Sequence, residues 1–175
     1  ISHQKGKNDA AVDLITKALS IKPNFPEALN NLGNVLKELG RLHEAITSYQ
    51  KALDINPDFA EAYYNLGLGL KGQGKLDEAV ASYNNALSIK PDYAEAHSNL
   101  GLSLQALGKL DEAVVHYHKA LAIKPDYAEA HYNLGNVFYE LGRLEDSVAS
   151  YRKAIDLKPD YAEAHSNLGV ALQAL

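Results

Sequence analysis

The chain has 175 residues, 46% of them hydrophobic and 22% charged, with a formal net charge of −5. That composition is too apolar for a disordered chain, and the charge gives no electrostatic reason to bind nucleic acid or an anionic membrane. With no cysteine there is no disulfide, thiolate nucleophile or cysteine-ligated metal, and no apolar run approaches the roughly 18 residues of a membrane-spanning helix.

From the N-terminus, Ile1-Ser2-His3-Gln4-Lys5 does not resemble a signal peptide, so a cytoplasmic protein is expected. The missing initiator methionine points to a piece of something longer. Residues 1–25 read as a partial unit. Ile1 is expected near the close of one helix, Gly6 as its stop, and a second helix around Ala10 to Ile21 before Pro23. Both punctuators open a series. Glycine returns at Gly40, Gly74, Gly108 and Gly142, and proline at Pro57, Pro91, Pro125 and Pro159, each 34 residues after the last. Leu32, Leu66, Leu100, Leu134 and Leu168 keep the same step, as do Gly33, Gly67, Gly101, Gly135 and Gly169. Several residue types holding one register define a repeat protein. Complete units span 26–59, 60–93, 94–127 and 128–161, and 162–175 is the first helix of another.

Local signals divide each unit into helix, tight turn and helix. Asn24 with Glu27, Asp58 with Glu61, Asp92 with Glu95, Asp126 with Glu129 and Asp160 with Glu163 are predicted capping boxes at the first helices. Each first helix is expected to stop at the glycine of the 40–142 series, which tolerates a left-handed residue. Each second helix, such as Asp111 to Ile123, ends because proline disfavours helix in the residue before it. The apolar spacing is helical. Ala96, Leu100, Leu104 and Leu107 share one face, and Leu110, Ala113, Tyr117, Ala120 and Leu121 share another. Small residues (Gly101, Ala113 and Ala120) recur where two helices would cross closely. One such hairpin cannot bury its apolar face alone, so neighbours are expected to stack.

These residues resemble the tetratricopeptide repeat (TPR) family over essentially the whole chain. The family pattern reads here as His97, Leu100-Gly101, Leu104, Ala113, Tyr117, Ala120 and Pro125, and one unit earlier as Tyr63, Leu66-Gly67, Leu70, Ala79, Tyr83, Ala86 and Pro91. Two departures stand out. Ser147 replaces an alanine and is expected to loosen its unit slightly. The family's usual tryptophan position carries Leu29, Tyr63, His97, His131 and His165. The resemblance implies an all-α fold, a right-handed superhelical solenoid of antiparallel helix pairs.

Motifs for chemistry fail on context. Gly67 to Gly72 matches a dinucleotide-binding glycine pattern, and Gly69 to Lys75 nearly matches a phosphate loop. Leu76 stands where the magnesium-binding hydroxyl belongs, and neither stretch follows a strand. Gly69 and Gly72 are instead expected to soften their helix. His97, His131 and His165 recur one per unit, too far apart to share an ion across helices about 8–10 Å apart. His116 and His118, two apart on one helix, do not face each other. Neither the Ser98–His97 nor the Ser166–His165 pair has an orienting third group, and Asp77-Glu78 and Asp111-Glu112 suit helix N-termini. No catalytic residue, cofactor or metal ligand is predicted.

The informative feature is an asparagine ladder: Asn31, Asn65, Asn99, Asn133 and Asn167. Asparagine is a poor interior helix residue, yet every first helix has one, on the flank turned away from the hairpin core. The resemblance implies that this side lines a concave groove. There an amide's donor and acceptor match a peptide backbone. The alternative is that these amides bond a neighbouring repeat. Asn34, Lys37, Tyr64, Lys71, Tyr132, Asn136 and Tyr139 are expected to add side-chain selectivity.

The ladder, with stretches such as Ala94 to Gly101, is similar to the repeat domain of O-linked N-acetylglucosamine transferases and their bacterial relatives. Chaperone-tail binders of the TPR family clamp a carboxylate with basic residues, but the matching positions here are acidic or amide, such as Glu95 and Asn99. The expected function is therefore a module binding an extended polypeptide. The alternatives are a self-assembling scaffold or the substrate-recruiting arm of a larger glycosyltransferase. Uncovered His165, Leu168, Leu172 and Leu175 also suggest self-association through terminal helices.

Overall fold

The computed structural model describes the backbone from Ser2 and the side chains from Gly6 to Leu175; the expectation at Ile1 lies outside the described residues. Ten α-helices and no strand occur among the described residues, divided between two compact units, Ile1–Pro91 and Asp92–Leu175. The first unit holds α1 (Ser2–Ile21), α2 (Pro26–Glu38), α3 (Leu42–Ile55), α4 (Ala60–Gly72) and α5 (Leu76–Ile89). Here α2 pairs with α3 and α4 with α5, while α1 packs on α2 and α3 on α4. The second holds α6 (Ala94–Ala106), α7 (Leu110–Ile123), α8 (Ala128–Glu140), α9 (Leu144–Leu157) and α10 (Ala162–Ala174). There α6 pairs with α7 and α8 with α9, α7 packs on α8, and α10 closes on α9.

One contact explains why each pair needs its glycine. A Cβ on Gly33 would fall 2.4 Å from the Tyr49 ring, and one on Gly67 2.5 Å from Tyr83. The equivalent approaches are 3.0 Å from Gly101 to Tyr117 and 2.7 Å from Gly135 to Tyr151. The tyrosine of the second helix thus lies against bare backbone of the first, and all four rings are buried. Alanines one turn either side of each tyrosine (Ala45 and Ala52, Ala79 and Ala86, Ala113 and Ala120) are fully buried and keep the helices close. Ser147, at that register in α9, is also fully buried. It does more than substitute for alanine, because its hydroxyl donates to the Gly135 carbonyl on α8 at 2.8 Å.

The helix stops match the glycine series with one exception. Gly40, Gly74, Gly108 and Gly142 have φ of 75°, 76°, 74° and 72°, the left-handed conformation glycine adopts without steric cost. Gly40 N–H donates to Lys37 O, and Arg41 N–H reaches back to Leu36 O, both at 2.9 Å, so the last carbonyls of α2 are satisfied. Gly6 differs: α1 runs through it without a break. Asn8 stands where Leu42, Leu76, Leu110 and Leu144 begin the second helices, so the apolar anchor that draws the chain back is missing. Asn8 instead donates to Glu38 on α2 at 3.0 Å.

The capping boxes need a correction. The residues flanking the first helices are Phe25, Phe59, Tyr93, Tyr127 and Tyr161, and none makes a side-chain cap bond. The aspartates lie one position further out. The glutamates remain in the first turn, where their charge suits the helix dipole. The aromatic residue carries a different contact: Lys22, Lys124 and Lys158 place their ammonium groups 4.4, 4.7 and 4.7 Å from the ring centres of Phe25, Tyr127 and Tyr161. A cation over a ring face is attracted by its quadrupole, and this pins the proline loop to the next helix.

Candidate functional site

The glycine-rich stretch from Gly67 to Gly72 lies inside α4, so its amides serve the helix and form no loop around a phosphate. The recurring histidines do local work. The Nε2 atoms of His131 and His165 sit 3.0 and 2.9 Å from the carbonyls of Pro125 and Pro159 in the preceding loops. His97 is buried on α6 with its Nδ1 3.1 Å from Nδ1 of His116 on α7. Burial, with His97 and Lys119 adding to it, holds His116 down at about 4. Among the described residues no three histidine, aspartate or glutamate side chains form a metal-binding group.

In the first unit the ladder splits between surface and structure. Asn31 is exposed, whereas Asn65 donates to Asn30 Oδ1 of the preceding repeat at 2.9 Å. Asn34 accepts the Tyr49 hydroxyl at 2.8 Å. Lys37 and Lys71 are half-buried, and desolvation lowers the pKa of both; nearby Glu38 partly offsets this at Lys37. The Tyr64 ring lies 6.0 Å from that of Tyr83.

The second unit brings several predicted residues together. Asn167 on α10 donates to Asn136 Oδ1 at 3.0 Å and to the Tyr132 hydroxyl at 3.2 Å. Asn136 also accepts the Tyr151 hydroxyl at 2.7 Å. The Tyr132 ring is held between Tyr151 and Tyr161, with centroids 5.9 and 4.9 Å away. Asn133 is half-buried, and Asn99 donates to Glu95 O on its own helix at 3.0 Å.

Asn136, Tyr139 and Asn167 line an open cleft of about 280 Å3 together with Gln105, Glu140, Tyr151 and Val170. The last four are absent from the residues predicted from sequence. Two of them were accessible to the register rule: Gln105 is 34 residues before Tyr139, and Val170 is 34 after Asn136. Glu140 follows Tyr139 directly, and Gln105 donates its amide to it. The cleft is therefore lined by one carboxylate, three side-chain amides, two tyrosines and a valine.

The fold and this site define a helical repeat protein with a polar face on its first helices. A family model of the TPR repeat matches residues 1–40, 33–74, 70–108, 105–142 and 135–175, and the chain belongs to the TPR family. No curated protein matches it. Among solved structures it is similar to MamA, with a TM-score of 0.83 and 29% identity over 92% of this chain and 94% of that one. It is also similar to TTC0263, a thermophilic TPR protein of Thermus thermophilus, with a TM-score of 0.74 and 27% identity over 98% and 93% of the two chains. YrrB, described as a TPR protein with an unusual peptide-binding site, has a TM-score of 0.78 and 24% identity over 91% and 82%, and shows the fold alone. TPR proteins generally mediate protein–protein interaction and are typically non-enzymatic. Among the described residues no helix is long and apolar enough to cross a membrane.

Proposed function

We propose that the chain is an interaction module that holds an extended polypeptide segment against the asparagine-bearing side of its first helices. The observation that carries this reading is the half-used hydrogen-bonding capacity of the second unit's cleft. Asn136 spends its Oδ1 on Tyr151 and Asn167, which leaves its amide N–H groups to donate. Asn167 spends its Nδ2, which leaves its Oδ1 to accept. A donor beside an acceptor is the complement of a peptide unit, and it reads backbone without demanding a particular sequence. The internal bonds hold both amides in place before a ligand arrives, which reduces the ordering cost of binding. In this reading Asn31 and Asn133 act in the same way from the exposed and half-buried parts of the ladder. A peptide array probed with the full chain tests it. Binding to many unrelated extended sequences is expected, and a blank array would overturn the proposal.

A second reading, self-association, is favoured by the apolar surface of α10, where Val170, Leu172 and Leu175 are 48%, 47% and 58% exposed. Light scattering at high concentration decides it, since a strict monomer would remove this reading. A further role, as the substrate-recruiting arm of a larger glycosyltransferase, would be decided by the downstream gene sequence.

A further inference from the structure

We infer that the cleft of the second unit selects a basic side chain, lysine or arginine, from the segment it binds. The inference rests on the peptide-binding reading above and adds a chemical class to it. The first unit carries ten Lys and Arg against ten Asp and Glu, whereas the second carries seven against twelve, so the whole net charge of −5 belongs to residues 92–175. Part of that excess lies in the cleft. Glu140 is exposed at the end of α8, takes the Gln105 amide, and forms no ion pair among the described residues. By contrast Glu95 lies 3.8 Å from Lys124, and Asp146 is bonded to Arg143. Among the described residues no lysine or arginine lines the cleft.

The remaining walls suit a cation as well. Tyr139 is 38% exposed beside Glu140 and offers a ring face, which attracts ammonium and guanidinium groups. The Oδ1 of Asn167 accepts from either group. About 280 Å3 is room for one long side chain. The first unit shows the contrast at the same register. Lys37 and Lys71 stand where the second unit has Gln105 and Tyr139. Glu38, the counterpart of Glu140, has Lys37 beside it and accepts from Asn8. A basic side chain is thus repelled in the first unit and attracted in the second.

The test uses the full chain and three labelled twelve-residue peptides of alanine, serine and asparagine, identical except for one central arginine, citrulline or glutamate. Citrulline keeps arginine's shape and loses its charge. The arginine peptide is expected to bind about tenfold tighter than the citrulline peptide. Glu140→Gln, which keeps the bond to Gln105, should erase that difference by weakening the arginine peptide to the level of the citrulline peptide. Glu145→Gln, an equal charge change on α9 outside the cleft, should preserve it. Equal binding of all three peptides would overturn the selectivity and leave peptide binding intact. A preference that survives Glu140→Gln would assign it to the general negative field and overturn the cleft. Binding of none would remove the peptide reading itself, and this inference with it.

Discussion

Tyr151 donates its hydroxyl to Asn136 at 2.7 Å, and Tyr49 makes the same bond to Asn34 at 2.8 Å, but the hydroxyls of Tyr83 and Tyr117 are buried without a partner. The cause is visible in the register: Leu68 and Leu102 occupy the positions of Asn34 and Asn136. An unsatisfied buried hydroxyl costs about 1–3 kcal/mol. Leu102→Asn should therefore raise the stability of the second unit by about 1 kcal/mol, because Leu102 is itself partly exposed and loses little burial. Tyr117→Phe should be neutral or stabilising, and Tyr151→Phe should cost about 1 kcal/mol. Chemical denaturation of the three variants checks this, and equal losses for both Tyr→Phe changes would contradict it.

The glycine–tyrosine contacts predict a graded series. Alanine at Gly33 or Gly67 brings its Cβ within 2.4 or 2.5 Å of a buried ring, while at Gly101 the distance is 3.0 Å. Overpacking of this kind costs about 1–3 kcal/mol, so Gly33→Ala should destabilise more than Gly101→Ala. Gly101→Leu should exceed both. Hydrogen exchange should rise chiefly around α6 and α7, since repeat stability is close to a sum of local terms. A uniform rise along the chain would contradict a repeat architecture.

The histidine pair predicts a pH dependence. Burial lowers the folded pKa of His116 to about 4, below its unfolded value near 6.5. A histidine depressed in this way favours the fold above its unfolded pKa, and that contribution is lost as pH falls from about 6.5 towards 4. His131, also lowered first by burial, adds to the same trend. Wild type should lose more stability between pH 7.5 and 4.5 than His116→Asn. Parallel curves for the two would contradict the assignment.

Much of this fold was legible because each unit repeats the same local chemistry. Gly40 and its successors stop helices wherever they precede a leucine-led second helix, and Gly6 fails because Asn8 breaks that context. The capping boxes misled for a geometric reason. An Asp three residues before a Glu has the same spacing whether the Asp or the aromatic residue after it flanks the helix, and lysine–ring contacts across the loop favour the aromatic. The bond between His97 and His116 joins two helices, and no single-helix wheel reveals it. The ladder was plain in sequence, but its division of labour was not. Asn65 and Asn167 turn to the preceding repeat because Asn30 and Tyr132, each 35 residues earlier, offer oxygens there.

The central claim is that ladder amides hold a peptide backbone, and the most direct test is Asn99→Ala combined with Asn133→Ala. Asn99 donates to Glu95 O on its own helix and Asn133 is half-buried, so the double variant removes two successive rungs of the ladder at once. Affinity for peptides recovered from the array should fall by about 1–3 kcal/mol, a few-fold to a hundredfold. The melting temperature should hold or rise, since alanine is the better helix former. A lowered melting temperature with unchanged affinity would contradict the account and leave the ladder a purely structural feature.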